Sequence, residues 1–118
     1  MNTRVTYLYR DANNYKVYEE VILEGELSPE QIQEIKKKLF DENCFIPSQV
    51  GLHHLHSQLQ EFDTRDWDDD HPIHELEGIS TIDADPTELM TATELQAKFM
   101  AVNTWDTDMQ VGHLLGGK

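Results

Sequence analysis

The sequence predicts a single α+β domain, an N-terminal antiparallel β-hairpin followed by about three helices packed on a small sheet. Three observations carry that prediction. Residues 3–10 alternate apolar and polar side chains with the period of a strand, and two helix-start signatures recur at Ser28 and Thr91. At 118 residues the chain has the length of one domain with one modest core.

The first strand reads from "TRVTYLYR", where Val5, Tyr7 and Tyr9 alternate with Arg4, Thr6 and Leu8. "DANN" supplies turn residues, and "YKVYEEVILEG" continues as the second strand with Val17, Val21 and Leu23 on one face. The first helix follows in "LSPEQI": Ser28 is the N-cap, Pro29 fits the first helical position and Gln31 completes a capping box. Leu27 and Ile32 stand where a hydrophobic staple requires them. Ile32, Ile35 and Leu39 form the inward stripe, while Lys36, Lys37 and Lys38 face mostly outward and suit the C-terminal end of the helix dipole. Pro47 marks a break. Leu52, Leu55, Leu59 and Phe62 then recur at helical spacing and predict a second helix. "LEGISTIDADP" contains a short strand. The last helix starts at Thr91, with Glu94 closing the box, Met90 stapled to Leu95, and Leu95, Phe99 and Val102 as its buried stripe.

Charge narrows function more than the fold does. The formal net charge is −14, and most of the excess lies in residues 61–86, where ten acids face the single base Arg65. A field of that sign repels nucleic acid and anionic membranes and attracts cations and basic proteins. Direct nucleic-acid binding is therefore not expected, even though the tyrosines of "YLYRDANNYKVY", interleaved with Arg10 and Lys16, have the composition of a stacking platform. No apolar run approaches the roughly 18 residues that span a bilayer. "MNTRVTYLYRD" turns polar too early for a signal peptide. A lone Cys44 leaves no disulfide framework, so the expected location is cytoplasmic.

Several constellations could carry chemistry. From Asp66, acids fall at the first, third, fifth and twelfth positions (Asp66, Asp68, Asp70, Glu77), which resembles an EF-hand calcium loop. His71 stands where that loop needs glycine, and Gly78 interrupts the helix that should leave it. A transition-metal set is the second arrangement. His53 and His56 share a face of the expected second helix, with His54 between them, and His71 and His74 have similar spacing if Pro72 begins a helical turn. Zinc requires three or four converging ligands, and "HPIHE" matches neither helical zinc-hydrolase motif. Cys44 in "DENCF" has acidic neighbours that oppose thiolate formation. The chain carries no phosphate-cradling glycine loop and no serine elbow.

The expectation is thus a small acidic protein acting by protein binding, without enzymatic chemistry and without a cofactor. It would serve as an inhibitor, an immunity-type protein or an antitoxin-like regulator of a basic or nucleic-acid-binding partner, in part by charge mimicry of a polyanion. The expected partner surface is Asp63, Asp66, Trp67, Asp68, Asp69, Asp70, Glu75 and Glu77, with Trp67 as an aromatic anchor inside a ring of carboxylates. The alternative is a calcium- or zinc-binding protein, or a small metalloenzyme, that uses His53, His56, Asp66, Asp68, Asp70, His71, His74 and Glu77. The "GGK" ending of residues 112–118 reads as a flexible tail.

Overall fold

The computed structural model describes residues 1–10, 16–53, 55 and 73–107. Among the described residues four antiparallel strands form one sheet: β1 (Asn2–Arg10), β2 (Lys16–Leu23), β3 (Cys44–Phe45) and β4 (His74–Ile82), in the spatial order β2-β1-β4-β3. Among the same residues two helices, α1 (Pro29–Lys38) and α2 (Ala92–Ala101), lie against one face, and a 3₁₀ turn spans Pro47–Val50. The architecture is α+β.

The hairpin follows from alternation. Val5, Tyr7 and Tyr9 of β1 point to the helix-covered face with Val21 and Leu23 of β2, and all five are buried. Burying each such side chain stabilises the fold by about 1.5–3 kcal/mol. Ile35 of α1 and Ala92, Leu95 and Phe99 of α2 meet them from above, and Phe45 closes the cluster.

Both helix starts carry a complete capping box. Ser28 Oγ accepts from the Gln31 N–H at 3.1 Å while Gln31 Oε1 accepts from the Ser28 N–H at 2.8 Å. Thr91 and Glu94 make the same reciprocal pair at 3.1 and 2.8 Å. Each box satisfies two amide donors that the first helical turn leaves without partners. Replacing Ser28 or Thr91 by alanine is expected to cost about 0.5–2 kcal/mol, read as a lower urea midpoint at unchanged slope. An unchanged midpoint in both variants would contradict the assignment of these caps.

The helix ends are tied as well. Lys38 Nζ donates to the Val102 carbonyl at 2.9 Å, and Trp105 Nε1 donates to the Lys38 carbonyl at 2.8 Å. The Trp105 ring packs on Phe40 and Phe99. Lys38 thus differs from the outward lysine that the sequence suggests.

Two elements depart from expectation. The short strand expected within residues 76–86 is β4, which begins earlier, at His74, and lies between β1 and β3. Its pairing with β1 shifts between Thr6 and Tyr7: Thr6 faces Gly78, Tyr7 faces Leu76, and Glu77 is the extra residue of a β-bulge. The second helix does not start where the leucine spacing places it. The chain passes instead through the 3₁₀ turn, and Gly51 ends that turn at φ 85°. That positive φ is what favours glycine, and a Cβ there would in addition press on the flexible side chains of Met90 and Lys98. Leu52 and Leu55 reach the core outside any helix. Leu59 and Phe62 lie outside the described residues.

After Ile82 the chain crosses the start of β1 to the far edge of β2. Asn2 holds the crossing, donating from Nδ2 to the Ala84 carbonyl at 2.7 Å and accepting from the Gly25 N–H at 3.0 Å. Thr87 then pairs with Ile22: its N–H donates to the Ile22 carbonyl at 2.8 Å and its Oγ1 accepts from the Ile22 N–H at 2.9 Å.

Candidate functional site at the flanks of the acidic segment

The acid-rich stretch leaves the described structure after Leu55 and returns at Ile73. What holds those two ends decides where the charge is presented. His74, the first residue of β4, is fully buried opposite Tyr9 and lies among the rings of Tyr9, Tyr7 and Phe45 at centroid distances of 5.1, 6.0 and 6.5 Å. Its Nε2 accepts the Leu55 N–H at 3.1 Å. An imidazole that accepts at Nε2 carries its proton on Nδ1. A buried amide without a partner is costly, so His74 completes the backbone accounting of Leu55.

A second tie lies two residues earlier, at His53. The Tyr7 hydroxyl donates to the His53 carbonyl at 2.7 Å, and His53 Nε2 meets Glu19 Oε2 at 3.0 Å. His53 and Leu55 are therefore fastened to β1, β2 and β4 together. The end of the sheet where β1 finishes and β4 begins thus carries both flanks of the acidic stretch. Arg10 and Glu75 share this end, with Arg10 Nε donating to Glu75 Oε2 at 3.0 Å.

Burial raises the Tyr7 phenol well above its ordinary value, and the charges of Glu19 and Glu88 add to the shift. The group therefore remains a donor throughout the physiological range. Because the folded value lies above the unfolded one, the stabilisation is complete below about pH 10 and is lost as pH rises through the folded value. Tyr7→Phe is expected to flatten the alkaline decline in stability, measured by urea unfolding between neutral and strongly alkaline pH. An identical decline in the variant would contradict this role.

These contacts redistribute the residues singled out from sequence. Glu75 is paired with Arg10 and is not a free surface acid. Glu77 is exposed at the bulge. Asp63, Asp66, Trp67, Asp68, Asp69 and Asp70 lie outside the described residues, as do His54, His56 and His71. His74 is not in a helical turn begun by Pro72. It is a strand residue, held there because His74 and Leu76 alternate onto the buried face. His53 and His74 flank Tyr7 and engage different partners. Residues 74–82 form a strand where an EF-hand needs its exiting helix. Among the described residues no three His, Cys, Asp or Glu side chains converge on a point where an ion could sit.

Cys44 is half-buried on β3, and burial, Glu75 and Asp41 all push its thiol upward, which disfavours the nucleophilic thiolate. Tyr7 and Tyr9 are core residues, so they are not available to stack on bases, whereas Tyr18 is exposed on β2. No helix among the described residues is long and apolar enough to cross a membrane.

The sequence signalled His53 and His74 only as possible ligands. Their parts in anchoring the chain at residues 53 and 55, and those of Tyr7 and Glu19, depend on contacts between residues far apart in the chain. Comparison with protein-family models, with characterised proteins and with solved structures finds no significant match.

Proposed function

We propose that this chain is a non-enzymatic protein-binding module that engages a basic partner through its acidic segment, as an inhibitor, immunity-type protein or antitoxin-like regulator in the cytoplasm. The observation that carries the reading is the tie between the flanks of that segment, the His74–Leu55 hydrogen bond. Between those flanks the sequence places Glu61, Asp63, Asp66, Asp68, Asp69 and Asp70 against the single base Arg65, with Trp67 among them. The tie brings the two flanks of this highly charged stretch together at one end of the sheet. A concentration of like charge in the chain steers a basic protein into encounter and disfavours polyanions. A partner whose own site binds nucleic acid would meet carboxylates in place of phosphates.

Affinity capture from the native host tests the reading with two baits, the natural protein and the triple variant Asp68→Lys, Asp69→Lys, Asp70→Lys. The natural protein should retain a basic protein that elutes at raised salt and that the variant fails to hold. Equal retention by both baits would remove the acidic segment from the interface.

No divalent cation enters this reading. Treatment with EDTA, followed by excess calcium or zinc, is expected to leave the melting temperature unchanged in scanning calorimetry. A large upward shift at micromolar free metal would instead favour the metal-binding alternative, because a ligand of the folded state stabilises it.

A further inference from the structure

The two edges of the sheet are treated differently. On the β3 side, Phe40 covers the strand, exchanging backbone bonds with Cys44 at 2.7 and 3.0 Å. On the β2 side, Thr87 covers the edge at Ile22, and a parallel bridge joins Glu24 to Thr91. Because Ile22 spends both backbone groups on Thr87, it lies in an outward-facing position. The register of β2 with β1 is unbroken, so Glu20, Tyr18 and Lys16 face outward too. The Glu20 N–H is occupied by the carboxylate of Glu19 at 3.1 Å. The outward backbone groups of Tyr18 have no partner among the described residues. Its side chain, 54% exposed, stands on the sheet face away from the helices.

We propose that this open stretch, Lys16–Glu20, pairs with the same stretch of a second copy of the chain, joining two four-stranded sheets into one about a two-fold axis at Tyr18. The stretch is self-complementary. Antiparallel pairing centred on Tyr18 sets Lys16 of each copy opposite Glu20 of the other, and Tyr18 opposite Tyr18. All three side chains share the helix-free face, so each copy contributes one half of two identical ion pairs flanking an aromatic pair. The window also matches the space available: Thr87 closes the edge at Ile22, and the strand itself starts at Lys16. Pairing replaces the Glu19 carboxylate at the Glu20 N–H with a backbone carbonyl of the second copy, while Glu19 keeps its contact with His53. Any other centre of symmetry within this window loses the opposition of Lys16 and Glu20.

Sedimentation velocity from micromolar to millimolar protein tests the proposal. The natural chain should pass from monomer to dimer across that range. Lys16→Glu alone and Glu20→Lys alone should each hold it monomeric, because each sets like charges opposite one another. The double variant Lys16→Glu, Glu20→Lys should restore the dimer, since the opposed pairs are again of opposite sign. Circular dichroism confirms that each variant is folded. A natural chain that stays monomeric to millimolar concentration, or a dimer indifferent to the single reversals, or no recovery in the double variant would overturn the pairing.

Discussion

His74→Ala is expected to lower the stability of the domain by about 3–5 kcal/mol, much of the margin available to a protein of this size. Two losses combine. The buried ring leaves a cavity among Tyr7, Tyr9 and Phe45, and the Leu55 N–H loses its acceptor. The second loss alone contributes about 1–3 kcal/mol, because the amide cannot recover a partner without water reaching it. His74→Gln, whose side-chain oxygen can accept, should recover part of the amide term. Urea unfolding supplies the stability, and hydrogen exchange at the Leu55 amide supplies the local readout. An alanine variant within about 1 kcal/mol of the natural protein, with that amide still protected, would show that His74 does not hold the segment.

The second large effect concerns association with the basic partner proposed above. Reversing Asp68, Asp69 and Asp70 to lysine changes the charge of residues 61–86 by six units, from −9 to −3, and so removes most of the attraction that this segment exerts on a basic protein. Steering of this kind alters on-rates by about 10–1,000-fold, so the triple variant should associate at least tenfold more slowly. Trp67→Ala should act on the other rate constant. An aromatic anchor desolvated at the centre of an interface is worth about 2 kcal/mol or more, which corresponds to roughly thirtyfold faster dissociation with little change in association. Surface plasmon resonance separates the two. A Trp67→Ala variant that dissociates at the natural rate would place that ring outside the interface.

Much of this fold was legible because its signals are local. Val5, Tyr7 and Tyr9 announce a strand by alternation alone, and Ser28 with Gln31, like Thr91 with Glu94, announces a helix start within four residues. The full length of β4 was harder to read for a physical reason. The bulge at Glu77 shifts the phase, so Leu76 and Ile79 face the core three residues apart, and a period of two fails across the strand. The leucines at 52 and 55 read as a helical stripe because a core position looks the same in sequence whether a helix or an extended segment delivers it. Gly51 was the available warning. The candidate site was the least legible part. A histidine beside aspartates reads as a ligand, and only the packing of Tyr7, Tyr9 and Phe45 around it shows that His74 serves the backbone of Leu55. Trp105 and Lys38 likewise gain their roles from an approach of chain segments that no short window contains.

Whether the acidic segment is a surface for a basic protein is decided by the salt dependence of the association rate. With a captured partner immobilised, the rate is measured at low ionic strength and again well above physiological strength, where screening acts within a few ångströms. A steep fall is expected for the natural protein and a markedly shallower one for the Asp68→Lys, Asp69→Lys, Asp70→Lys variant, which keeps only part of the attraction. A natural protein whose association rate is independent of salt, or a variant that follows the same steep fall, would contradict that role for the segment.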